Sequence, residues 1–131
     1  MILIAASPCE GTASWLPSVI DDAKRARQFA DRYKFEVHQL IGRDATPLNM
    51  DLFFSRQTTA CLEYRRKGLP GKYLLLVYYS GHGTLRHGTT HVYLPKESQP
   101  GHEWYPLAAR VMNFQTDNVS NTFVFSVNDC C

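Results

Sequence analysis

The sequence predicts an α/β domain with a mainly parallel sheet. Short apolar runs alternate with amphipathic helical stretches in the order strand, helix, strand, helix, strand, helix, strand. That alternation argues for parallel strands joined by right-handed crossovers. The strongest runs, Met1 to Ala6 and Lys72 to Tyr79, are continuously apolar, as strands covered on both faces are. With 131 residues, 44% hydrophobic and 20% charged, the chain has the length of one domain and the composition of a soluble globular one.

The elements follow in order. Met1 to Ala6 is a buried strand that enters a loop at Ser7-Pro8 and Gly11. Ser18 is a candidate cap for a helix with Asp21 and Asp22 in its first turn. Val19, Ala23, Ala26, Ala30 and Tyr33 share one face of that helix, and Lys24, Arg25, Arg27 and Asp31 the other. Phe35 to Ile41 alternates as a second strand, ended by Gly42. Thr46-Pro47 starts a second helix, with Thr as cap and Pro at the first position. Its inward stripe is Met50, Phe53, Phe54, Gln57, Cys61 and Tyr64, and Gly68 to Gly71 stops it. Lys72 to Tyr79 is the central strand. A polar segment rich in Gly, His and Thr comes next, with a short strand at His91 to Pro95. Tyr105 to Gln115 carries Leu107, Val111 and Phe114 at helical spacing, and Asn121 to Val127 is the last strand.

Bulk properties exclude several classes. A net charge of +2 is too small to argue for nucleic acid. The basic cluster Arg65-Arg66-Lys67 falls at a helix C-terminus, where cations complement the macrodipole. No apolar stretch approaches the roughly 20 residues of a membrane helix, and the N-terminus lacks the basic flank of a signal peptide, so the expected address is the cytoplasm. Cys9, Cys61, Cys130 and Cys131 match neither a disulfide framework nor a zinc site and are expected as reduced thiols. Asn118-Val-Ser120 matches a glycosylation sequon by chance in such a chain. His87 and His91 are four apart, but Gly88 and Thr89-Thr90 argue for a polar loop rather than a helical metal pair.

Two apolar strands end in reactive residue types. Tyr78-Tyr-Ser-Gly-His-Gly83 delivers an imidazole, and Phe123-Val-Phe-Ser-Val-Asn-Asp-Cys-Cys131 delivers thiols. In parallel α/β sheets, sites gather beyond the carboxyl ends of the strands, where His82 and Cys131 are expected. A thiol needs a base to act as a nucleophile at neutral pH. His82 can be that base and Cys131 the nucleophile. Gly83, with no side chain, can bring its N–H to a substrate carbonyl, with the N–H of Cys131 as second oxyanion donor.

These residues resemble the caspase, metacaspase and paracaspase family of cysteine peptidases. Tyr79-Ser-Gly-His-Gly83 is similar to the family's histidine motif, Asp129-Cys-Cys131 to its nucleophile motif, and Leu16-Pro-Ser-Val-Ile-Asp-Asp-Ala-Lys24 to the metacaspase helix start. The caspase histidine lies about 50 residues before the cysteine, and 49 separate His82 from Cys131. The resemblance implies a caspase-like three-layer α-β-α sandwich. It implies a cysteine-type endopeptidase with His82 and Cys131 catalytic and Gly83 in the oxyanion hole. It also implies that Asp129 lines a pocket for a Lys or Arg before the scissile bond, and that Cys130 faces away from His82. Trp15-Leu-Pro-Ser18 lacks the arginine that caspases use to bind Asp. The resemblance to metacaspases leaves calcium dependence open, but Thr84 to His91 has no acid, which departs from the metacaspase pattern of a second pocket acid and a calcium-binding cluster, and no cofactor is assigned.

Family members continue past the nucleophile into further strands. The expectation is therefore an N-terminal, large-subunit-like portion truncated after the fourth core strand, spanning residues 1–131 and inactive alone. Its partners would be a protein or peptide substrate and a small-subunit portion or homodimer partner. The competing reading is a non-catalytic caspase-like domain that acts as a scaffold or decoy. A flavodoxin-type nucleotide-binding domain is weaker, because Ser7 to Ser14 holds only Gly11 and makes a poor phosphate cradle.

Overall fold

The computed structural model describes residues 1–118 and 122–130. The order is β1 (Ile2–Ser7), α1 (Val19–Arg32), β2 (Val37–Ile41), a short 3-10 helix (Gly42–Asp44), α2 (Pro47–Arg66), β3 (Tyr73–Gly81), β4 (Gly83–Arg86), β5 (Thr89–Pro95), β6 (His102–Tyr105), α3 (Leu107–Asp117) and β7 (Thr122–Cys130). Four strands form a parallel sheet in the order β2-β1-β3-β7. The chain is thus α/β with a parallel sheet, as its alternation predicts.

Helices cover both faces of that sheet. Val19, Ala23 and Ala30 of α1 pack on Ile2, Ile4 and Ala6. On the opposite face, Met50, Phe53, Phe54 and Cys61 of α2 and Leu107 and Phe114 of α3 pack with Leu3, Ala5, Leu75, Val77 and Tyr79. Continuous apolar runs are needed for this arrangement, since alternate residues of β1 and β3 enter different cores. Thr46 caps α2 through its hydroxyl, which accepts from the Asn49 N–H at 3.2 Å, and Pro47 takes the first helical position. Tyr64 is only half-buried, and its hydroxyl donates to the Pro70 carbonyl at the turn that ends α2.

Three expectations are corrected. Ser18 precedes α1 but makes no side-chain cap, because its backbone is already helical and its hydroxyl is not presented to the first-turn N–H groups. The polar segment after the central strand is not a loop. It forms a separate antiparallel sheet in the order β4-β5-β6. Arg86 pairs with Thr89 across a two-residue turn in which both His87 (φ 50°) and Gly88 (φ 73°) are left-handed, the geometry of a tight type I′ hairpin. Val92 and Leu94 of β5 are fully buried and join the α2/α3 core. Tyr105 belongs to β6, and α3 begins two residues later at Leu107.

β7 runs to Cys130, beyond the expected end at Val127, and is one edge of the parallel sheet. Asn121 of the expected last strand, Val119 and Ser120 of the sequon, and Cys131 lie outside the described residues. Asn118 itself is buried, and its side-chain amide donates to the Phe114 carbonyl at 2.9 Å. No helix among the described residues is long and apolar enough to cross a membrane.

Candidate active site at the carboxyl ends of β3 and β7

Strand order reverses between β1 and β3: β1 leads to β2 on one side and lies beside β3 on the other. In parallel α/β sheets, loops diverge and ligand sites gather at such a point. His82 follows the last residue of β3 at that end of the sheet. Its Nε2 lies 2.6 Å from the Ser14 carbonyl in the loop after β1. A carbonyl only accepts, so Nε2 carries a proton, and in the neutral imidazole Nδ1 holds the lone pair. The imidazole is therefore oriented by a third group, as an acid–base histidine must be. Ser14 was invisible in the sequence, because it acts through its backbone 68 residues away.

β7 lies beside β3 in parallel register, with Ser80 opposite Asp129 and Gly81 opposite Cys130. Ser80-Gly81 of the histidine motif and Asp129-Cys130 thus lie at the same level of adjacent strands. Cys131 follows Cys130 in sequence and lies outside the described residues.

Side chains alternate across the end of β7. Cys130 packs against the α2/α3 core and beneath Gly83. A Cβ built on Gly83 would collide with Cys130 Sγ and lie 2.8 Å from Cys130 Cβ. The lack of a side chain at Gly83, which the sequence explains by substrate approach, also makes room for Cys130.

Asp129 points to the opposite face, where it lines a cavity of about 560 Å³ with Asp22, Arg25, Tyr78 and apolar side chains of β3, β7 and α1. The Ser80 hydroxyl donates to Asp22 Oδ2 at 3.0 Å, and Arg25 pairs with Asp22 Oδ1 at 3.1 Å. Burial, then the Asp129 and Asp22 carboxylates, push the Tyr78 phenol up. Two acids therefore serve one pocket. The sequence marks Asp22 only as a helix-start acid, and its place in this pocket depends on how α1 lies over β3.

Burial lowers the pKa of His102 on β6, and a proton on His82 would lower it further. His87 occupies the hairpin turn, and His91 Nδ1 bonds the Thr89 carbonyl at 3.0 Å. Among the described residues, no three His, Cys, Asp or Glu side chains converge as a metal site requires. A larger cavity of about 960 Å³ opens between the loop after β1 and the Pro95–Gly101 loop, and neither His82 nor β7 lines it.

Arg65 and Arg66 occupy the last turn of α2. Cys61 is buried and accepts from the Thr122 hydroxyl at 3.6 Å. No protein-family model matches the chain, and comparison with curated proteins returns no significant match.

Proposed function

We propose that this chain carries the catalytic dyad of a caspase-like cysteine endopeptidase. The observation that carries the reading is the parallel register of β3 and β7, with Gly81 opposite Cys130, joined to an imidazole already oriented by Ser14. In this reading Nδ1 of His82 takes the Cys131 proton and the thiolate attacks the scissile carbonyl. The Gly83 and Cys131 N–H groups hold the oxyanion. The proton then passes to the leaving amine, and water hydrolyses the thioester.

Asp22 and Asp129 would bind a Lys or Arg before the scissile bond. Such a residue would displace Arg25, whose exposed pairing with Asp22 contributes little.

A peptide chloromethyl ketone ending in Arg tests the reading. In a protein extended by the further strands that the resemblance implies, it should alkylate Cys131, and Asp129→Asn or Asp22→Asn should each slow labelling about tenfold, equivalent to about 1.4 kcal/mol. Labelling of Cys130 instead, or equal rates for Arg and norleucine reagents, contradicts it.

One observation favours a second reading, association without catalysis. Phe123, Phe125 and Val127 on the edge strand are 55%, 58% and 57% exposed, and bare edges recruit partners. A concentration-dependent sedimentation coefficient without thiol reactivity at Cys131 would support it.

A further inference from the structure

We propose that Tyr79 is a positioning residue that aims the Gly83 N–H at the oxyanion; this rests on the peptidase reading above. Tyr79 is the bulkiest fully buried side chain, yet its hydroxyl is not lost in the core. It reaches past the end of its own strand and donates to the His82 carbonyl at 3.1 Å. The Tyr93 carbonyl lies 3.4 Å from the same hydroxyl.

The His82 carbonyl also accepts from the Tyr93 N–H at 3.0 Å. Two donors therefore converge on one oxygen, from β3 and from β5. That oxygen and the Gly83 N–H belong to a single planar peptide unit, which is trans, so the two bonds point in opposite directions. Fixing the oxygen fixes where the N–H points.

Gly81 completes the device. A Cβ at position 81 would collide with the Tyr79 hydroxyl and lie 2.8 Å from Cζ. The Tyr-Ser-Gly-His-Gly order is thus an interlock. The phenol needs the space that Gly81 leaves, in order to hold the His82 carbonyl that aims Gly83. Burial holds the phenol in its neutral, donating form. An oxyanion donor contributes only when already aimed where the charge develops.

Tyr79→Phe keeps the ring and removes the second donor. Residual dipolar coupling of the Gly83 N–H in the full chain should change, while those of Leu75 and Leu94 do not. Affinity for a peptide argininal, whose thiohemiacetal oxygen occupies the oxyanion position, should fall about tenfold, part of the 10²–10³-fold that outright loss of a donor costs. The rate of Cys131 alkylation by iodoacetamide, which needs no oxyanion donor, should stay within about twofold. An unchanged Gly83 coupling overturns the proposal, as does a changed coupling with unchanged argininal affinity. If Tyr79→Phe does not fold, 3-fluorotyrosine at position 79, which keeps the ring and hydroxyl and alters only the donor's strength, must move the Gly83 coupling and the argininal affinity together, and movement of neither overturns the proposal. Failure of the peptidase reading shows differently: Cys131 then reacts at one rate with and without His82, in a comparison that Tyr79 does not enter.

Discussion

Gly83 and Cys130 occupy complementary space: the glycine has no Cβ where the cysteine side chain lies. The contact ties the first residue after His82 to the last described residue of β7, across the candidate site. Gly83→Ala should therefore destabilise the chain by about 1–3 kcal/mol, the usual range for overpacking. Cys130→Ala should rescue only part of this, because its Cβ remains 2.8 Å from the added methyl. Cys130→Gly should rescue most of it. Urea unfolding of the single and double variants measures the coupling, and purely additive effects would refute the contact.

The two helix starts should respond differently. Thr46→Ala removes a hydroxyl that caps α2 and should cost about 1 kcal/mol. Ser18→Ala, at a helix start with no side-chain cap, should change stability by less than about 0.5 kcal/mol. Equal losses by thermal unfolding would contradict this assignment.

Alkaline pH should unfold the protein through its buried phenols. Burial, then the Cys61 and Glu36 charges, push Tyr73 from 10.0 up to about 12. Burial raises Tyr79 and Tyr105 further. These phenols stay neutral in the fold where the unfolded chain has already ionised, so unfolding releases protons and stability falls as pH rises. Tyr73's contribution is complete below pH 10 and is lost by about pH 12. Tyr73→Phe, which also removes the hydrogen bond to Gln57, should flatten the fall of the urea midpoint across that window. An unchanged slope would contradict the shift.

The elements legible in the sequence were those with local signatures. Thr46-Pro47 announces its helix, and the runs through Leu3 and Leu75 announce strands covered on both faces. The β4-β5-β6 sheet was hidden for a physical reason. β5 buries only Val92 and Leu94, β6 only Tyr105, and their turn uses His87-Gly88 in place of a common Asn-Gly pair. The candidate site divides in the same way. His82, Asp129 and Gly83 carry their chemistry in their residue types. Ser14 contributes a backbone carbonyl, which any residue has, and Asp22 reaches the pocket only because α1 crosses β3 beside Ser80. Such partners come from tertiary packing, to which residue spacing is blind.

The central claim is that His82 activates Cys131. The direct measurement is the iodoacetamide alkylation rate of Cys131 at pH 7, read by mass mapping of the peptide that contains Cys131, in a protein extended by the further strands that the resemblance implies and in its His82→Ala variant. Cys9 and Cys61, both 1% exposed, serve as internal slow references. The account predicts that removing the imidazole slows Cys131 at least about tenfold, the lower part of what a positioned base contributes. Equal rates in the two proteins would contradict it.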